Sequence, residues 1–236
     1  MDWRALRMKP AHCPLCGPSM LVRLSANEWA VRCMRCGAAP ATFSLAAALQ
    51  ILRPQLERLS VYELSARGPL CAYLRRRSGE FTCSEFFDDV APGTYMDGVL
   101  CQDVQRLTFP DASFDLCTST EVFEHVPDDA QGFAELWRVL KPGGLAAFTV
   151  PLGRLDITLE RAAIVDGQLI HYVTPAEYHN DHLRGRGQVL CFRTYGRDIV
   201  ERLTRQGFGR AEIIPADPAL WWGYARPIVV AHKSPV

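Results

Sequence analysis

The chain has 236 residues, 48% hydrophobic and 22% charged, enough to bury one α/β domain of ordinary size with a small appendage. Its 26 basic and 26 acidic side chains cancel, so no charge surplus announces a nucleic-acid partner, and the balance argues against one. No uninterrupted apolar run of about 18 residues reads as a membrane span, and the opening MDWRALRMKPAHC lacks an apolar signal-peptide stretch; the expectation is a cytoplasmic protein with no membrane partner.

The nine cysteines are of two kinds. Cys71, Cys83, Cys101, Cys117 and Cys191 are spread singly through apolar surroundings and read as small buried hydrophobes in a reducing compartment. Cys13-Pro-Leu-Cys16-Gly and Cys33-Met-Arg-Cys36-Gly are instead two CxxC turns. Zinc takes four soft ligands in a tetrahedron, and each turn supplies two thiolates on one side of the ion. The glycine after each pair lets the chain turn without a Cβ clash, and Met20 to Arg32 alternates enough for a short hairpin. The spacing predicts a zinc ribbon over 1–41, with a structural Zn2+ on Cys13, Cys16, Cys33 and Cys36 and no vacancy for catalysis. Disulfide pairing and a thioredoxin-type redox centre are the alternatives; no secretion signal or βαβ pattern accompanies them.

A connector over 42–59 follows. Leu45, Leu49, Leu52 and Leu56 recur at helical spacing from Phe43 to Leu59, with Pro54 kinking or dividing the helix. From Ser60 short apolar runs alternate with amphipathic stretches, the pattern of a parallel sheet with helical crossovers. Strands are expected at 60–64, 81–85, 98–101 and 114–119, and helices at 68–77 and 129–140. Lys141-Pro-Gly-Gly144 is expected to stop the second helix and turn the chain into a fifth strand, 145–150. A helix at 197–206 and closing strands at 210–215 and 227–232 complete a domain over 60–236.

The run CQDVQRLTFPDASFDLCTSTEVFEHVPDDAQGFAELWRVLKPGGLAAFTVP resembles the second half of the class I, type 11 S-adenosylmethionine-dependent methyltransferase domain. That family has an FPDxSFD turn before its fourth strand, an EHV segment after it and LKPGG before the fifth; all three occur here in order. The resemblance covers about Val61 to Pro151. It implies a Rossmann-like sheet of seven strands, the last antiparallel, with S-adenosylmethionine over the carboxyl ends of strands one to four, as open α/β sheets generally place ligands. Carried across by position, the cofactor-binding residues are Glu63, Ser65 and Gly68 on the first loop, Glu85 on the ribose hydroxyls, Asp103 and Val104 beside the adenine, and Thr120, Glu121 and His125 near the methionine end. Lone acids at strand ends are often only helix caps, and it is their joint order that favours the binding role.

One departure stands out. The family's first loop carries E/D-x-G-x-G-x-G, whereas this chain has Glu63-Leu-Ser65-Ala-Arg67-Gly68-Pro69. Glycines let backbone approach a cofactor closely, so either the loop takes another path or the site has decayed; the survival of Glu63, Glu85 and Asp103 favours the first.

Between strand five and the last helix, about 152–194, the chain is longer than a simple crossover. The resemblance implies a lid over a small-molecule substrate there, with Glu177, Tyr178, His179 and Asp181 as candidate contacts. The catalytic candidates are His179, Asp181 and His125, since a His–Asp combination can deprotonate a hydroxyl for attack on a methyl group; tying down a long loop is the competing role. His171 and His182 read as structural or exposed, no ligand spacing such as HxxEH marks a metal site, and Trp221, Trp222 and Tyr224 read as packing. The expected activity is methyl transfer to a hydroxyl of a sugar or secondary metabolite. RNA base methylation and a non-catalytic interaction module are the alternatives, the former disfavoured because the ribbon is not notably basic and such enzymes keep a glycine-rich first loop.

Overall fold

The computed structural model describes residues 6–25, 30–181, 187–216 and 225–235, with Asp181 described by its backbone alone. His182, Trp221, Trp222 and Tyr224 lie outside that set. At the amino terminus β1 (Arg7–Cys13) and β2 (Gly17–Arg23) form an antiparallel hairpin, and β3 (Val31–Cys33) pairs with the other edge of β2. Helix α1 (Pro40–Leu52) has its proline in the first turn, where the missing N–H costs nothing. It ends sooner than its leucine spacing suggests, capped at Arg53, and Leu56–Arg58 makes only a 3-10 turn. The cause is Pro54, which excludes Arg53 from the helical region and has no N–H to continue the ladder.

The main sheet follows from β4 (Ser60–Glu63), α2 (Gly68–Arg77), β5 (Glu80–Cys83), a small hairpin of β6 (Tyr95–Met96) and β7 (Val99–Leu100), β8 (Phe114–Thr120), α3 (Asp129–Val139) and β9 (Leu140–Thr149). After it come β10 (Leu159–Glu160), β11 (Ala162–Val165), β12 (Gln168–His171), β13 (Tyr178–Asp181), β14 (Gly187–Leu190), β15 (Arg193–Thr194), α4 (Ile199–Arg205), β16 (Arg210–Ile214) and β17 (Ile228–His232). The strand order is β16-β17-β9-β8-β4-β5. Strands β5, β4, β8 and β9 are parallel, and the final strand β17 runs antiparallel to both neighbours.

Among the described residues this sheet has six strands, one fewer than the resemblance implies. The expected third strand is spent on the β6–β7 hairpin, closed by Asp97 and Gly98 at φ 50° and 76°. It touches the sheet through a single parallel bridge, Glu85 with Cys101. The Cys101 N–H is taken by Thr94, and only Leu100 and Gln102 remain to bond Glu85. Helix α3 ends at LKPGG as expected, but the motif itself is part of the next strand. Strand β9 starts at Leu140 opposite Phe114, and the next paired residues are Leu145 and Leu116, so the proline and glycines bulge out of a continuing strand.

Successive strand residues point to opposite faces and build two cores. On one face Val61, Leu116, Leu145 and Val230 pack with α1, α2 and the ribbon's Cys13, Leu15, Leu21, Val31 and Cys33. On the other, Tyr62, Cys117, Ala146, Phe148 and Val229 pack with α3 and α4. The 152–194 segment is three small antiparallel ladders, β11–β12, β13–β14 and β10–β15, beyond the carboxyl end of the sheet.

Candidate active site and metal-ligand clusters

The chain leaves β4 toward one edge of the sheet to form β5, and places β8 and β9 on the other side. The switch point therefore lies between β4 and β8, and open α/β sheets bind ligands at the carboxyl ends of such strands. Glu63 ends β4 and is buried; the Thr118 hydroxyl of β8 donates to its carboxylate, and burial pushes its carboxyl up to about 8. The first loop takes a path suited to its own residues. Arg67 is extended, and Gly68 opens α2 at φ 91°, a left-handed turn that a side chain would strain. Ser65 donates weakly across this turn to the Arg67 carbonyl at 3.4 Å.

Glu85 and Asp103 flank the single bridge that replaces the third strand. The Glu85 N–H donates to Leu100 O at 2.9 Å, and the Gln102 N–H donates to Glu85 O at 3.0 Å. Asp103 accepts from the Gln105 backbone at 2.9 Å and from its amide at 3.1 Å, while the adjacent Val104 is buried in the α3-side core. At the ends of β8 and β9 the hydroxyls of Ser119, Thr120 and Thr149 are buried and have no hydrogen-bond partner among the described residues. Buried hydroxyls are normally satisfied, so three orphans at one end of two adjacent strands mark a place that receives polar atoms. Glu121 follows at φ 53°, its N–H held by Thr149 O at 3.0 Å and its carboxylate 3.7 Å from Arg226. A non-glycine residue in that region is uncommon and concentrates at functional sites.

One 3-10 turn further, Glu124 and His125 meet residues of the 152–194 segment. Glu124 is 1% exposed; burial, and then the charge of Glu121, hold its carboxyl well above the usual range, with Arg226 and Arg193 opposing. Its Oε1 lies 3.6 Å from His125 Nε2 and 3.7 Å from His179 Nδ1, and His179 Nε2 is 3.4 Å from Glu177. Cys191 is buried as expected, and its sulfur also lies 3.9 Å from His125 Nδ1. The backbone of Asp181 pairs with Gly187 two residues beyond His179.

Two residues that spacing did not single out hold this region. Arg193 is buried and donates to the carbonyls of Phe123, Val126 and Pro127, fixing the turn that carries Glu124 and His125. It also pairs with Glu160 at 3.1 Å, while Asp129 accepts from Tyr195 and Arg202. Nothing in a lone arginine after Cys191-Phe signals this role. Glu124 stood inside the EHV motif, but only its burial distinguishes it from Glu121.

In the ribbon the four cysteine sulfurs lie within 4.8 Å of one another, with Cys13 to Cys36 at 3.7 Å and Cys16 to Cys33 at 3.6 Å. Zn–S bonds of about 2.3 Å in a tetrahedron put the sulfurs roughly 3.8 Å apart, so this donor set fits a four-thiolate ion. Gly17 and Gly37 make the expected turns at φ 80° and 74°. Burial opposes ionisation of Cys33, but the Ser19 hydroxyl and the N–H groups of Cys36 and Arg35 outweigh it and bring the thiol to about 6. Between ribbon and α2 lies a cleft of about 730 Å³ lined by Gln50, Tyr73 and the guanidinium groups of Arg35, Arg76 and Arg77.

The topology is that of a class I methyltransferase α/β fold with a six-stranded mixed sheet. Residues 65–148 match a family model described as a methyltransferase domain. The solved S-adenosylmethionine dependent methyltransferase from Mesorhizobium loti superposes with a TM-score of 0.52 at 19% identity, covering 80% of this chain and 98% of that one. Streptomyces venezuelae DesVI superposes at 0.50 and 15% identity, over 83% and 92%. Among curated proteins, the demethylmenaquinone methyltransferase of Deinococcus radiodurans is 55% identical over 42 residues, 18% of this chain and 17% of that protein. The malonyl-[acyl-carrier protein] O-methyltransferase of Yersinia pestis is 32% identical over 96 residues, 37% and 36% of the two. The chain thus spans well under half the length of these two relatives. No helix among the described residues is long and apolar enough to cross a membrane.

Proposed function

We propose that the chain is an S-adenosylmethionine-dependent methyltransferase that methylates a hydroxyl of a small molecule. The observation that carries this reading is the row of buried, unpartnered hydroxyls of Ser119, Thr120 and Thr149 at the carboxyl ends of β8 and β9, inside the segment that matches or adjoins the methyltransferase model. The cofactor supplies an electrophilic methyl group. Glu85 receives its ribose hydroxyls, since a carboxylate accepts two O–H donors at once, and Asp103 with Val104 borders its adenine. Glu63 braces β4 against β8, and Ser65 and Gly68 shape the first loop. Thr120, Glu121 and His125 border the methionine end. His179 and Asp181 stand on the acceptor side, where an imidazole can take the hydroxyl proton. That one relative is named for O-methylation supports an oxygen acceptor; a sugar and a secondary metabolite both carry hydroxyls. In the same reading, the four ribbon cysteines hold a structural Zn2+ that stabilises a segment too small to fold alone.

Calorimetry on zinc-loaded protein tests the cofactor: micromolar binding of S-adenosylmethionine or S-adenosylhomocysteine is expected, and no detectable heat with either ends the proposal. Incubation of a lysate with tritiated cofactor tests the acceptor. Label is expected in the small-molecule fraction, and label confined to RNA would replace it with the nucleic-acid alternative.

A further inference from the structure

A second cluster of metal-ligating side chains lies apart from the ribbon. His125 closes the turn after β8, His179 lies on β13 and Cys191 follows β14; one ligand atom from each is within 4.8 Å of the other two. The two rings meet edge to face with centroids 5.0 Å apart. The Leu190 carbonyl sits 2.8 Å from His125 Nδ1 and fixes the ring, and the Cys191 sulfur lies 3.9 Å from the same nitrogen. Cys191 is 1% exposed, whereas the His125 and His179 side chains are 14% and 29% exposed, so the cluster is buried on its sulfur side and open on its imidazole side.

Glu124 supplies an independent observation. Its carboxylate is buried, accepts no hydrogen bond among the described residues, and points at both rings. Its 3.6 and 3.7 Å separations from the ring nitrogens are too long for hydrogen bonds. A buried carboxyl group with no hydrogen-bond partner is costly unless a cation or another polar group is received beside it.

We propose that His125, His179 and Cys191 bind a divalent ion of the zinc class, with Glu124 facing the ion as its charge partner. Two imidazoles and a thiolate are borderline-soft donors of the kind that suit zinc. Three protein ligands leave a position for water or for an oxygen of a bound molecule, unlike the closed ribbon. The site stands on its own residues and does not depend on the methyl-transfer reading; with the ion bound, His179 is a ligand and no longer takes the acceptor's proton.

Zinc-edge X-ray absorption of the full-length wild-type chain, loaded with excess Zn2+ and desalted, tests this without a variant. A shell containing imidazole scattering together with sulfur is expected, and an all-sulfur shell overturns the site. Metal analysis adds the assignment: His179→Gln and Cys191→Ser each hold one ion per chain fewer than the wild type. Unchanged metal content in both overturns it. In Co2+-loaded protein, Cys191→Ser lowers the sulfur-to-metal charge-transfer absorption by roughly one part in five, because one of five thiolates is lost.

Discussion

The two cysteine-containing clusters are built on opposite plans. The ribbon's four sulfurs come from two tight turns 20 residues apart, Cys13–Cys16 and Cys33–Cys36, and Cys13 and Cys33 are part of the core that α1 and the sheet complete. The second cluster draws on three segments from residue 125 to residue 191 and is surrounded by charge: Glu124, Glu177, Arg161 and Arg193. The first holds its own geometry and in doing so supports the fold. The second has its geometry imposed by neighbours, above all by Arg193 gripping the 123–127 turn. On the proposed readings, stability concentrates at one cluster and chemistry at the other.

The largest expected effect is at the ribbon. Cys33→Ser should forfeit most of a metal contribution on the order of 10 kcal/mol and leave Leu15, Leu21 and Val31 without a frame. Limited proteolysis should then cut within residues 6–40 while the wild type resists until a chelator is added; a variant as resistant as the wild type breaks the contrast. Next comes Arg193→Ala. Removing one partner of a buried charge network costs about 3–5 kcal/mol, read as a lower midpoint in urea unfolding. A loss below about 1 kcal/mol would mean the turn holds itself.

An effect of similar size, visible only as a pH trend, belongs to Glu63. Its carboxyl sits at about 8 in the folded chain and near 4.5 when unfolded, because burial disfavours the charged form. Between those values the folded state binds the proton more tightly, so this residue's contribution to stability is highest below 4.5, falls as pH rises to about 8 and is level above. Glu63→Gln should remove that fall, so melting curves of the two proteins diverge in the variant's favour from pH 5 to pH 8; parallel curves contradict it. The smallest effect is His179→Gln, which should shift stability by no more than about 0.5 kcal/mol in the same urea experiment, as for a partly exposed side chain on a peripheral hairpin. A large loss there would make the second cluster a staple like the first.

Periodicity and punctuation carried much of the fold. The span 68–77 is helical as its pattern predicts, the runs around β4, β8, β16 and β17 form strands, and α3 ends one residue before its expected limit. Those signals are local: apolar spacing, a proline, a glycine, a capping Asp128. Where competition among neighbours decides, the pattern misleads. Val99-Leu100 has the composition of a third sheet strand, yet the turn at Asp97-Gly98 folds it back on Tyr95-Met96. LKPGG looks like a loop, yet Leu140 already pairs with Phe114.

The same division runs through the candidate sites. Cys13, Cys16, Cys33 and Cys36 declare themselves in sequence because each tight turn brings two thiolates together with little loop-closure cost, and the order of motifs from Cys101 to Pro151 falls largely within the 65–148 segment that matches a methyltransferase family model. Sequence alone left Cys191 as filler, Glu124 unnoticed and His125 and His179 as unconnected candidates. Their meeting depends on β13–β14 folding over the end of β8, with Arg193 holding the turn from below. Contacts between segments some 50 residues or more apart are set by how layers pack, and no spacing rule records that.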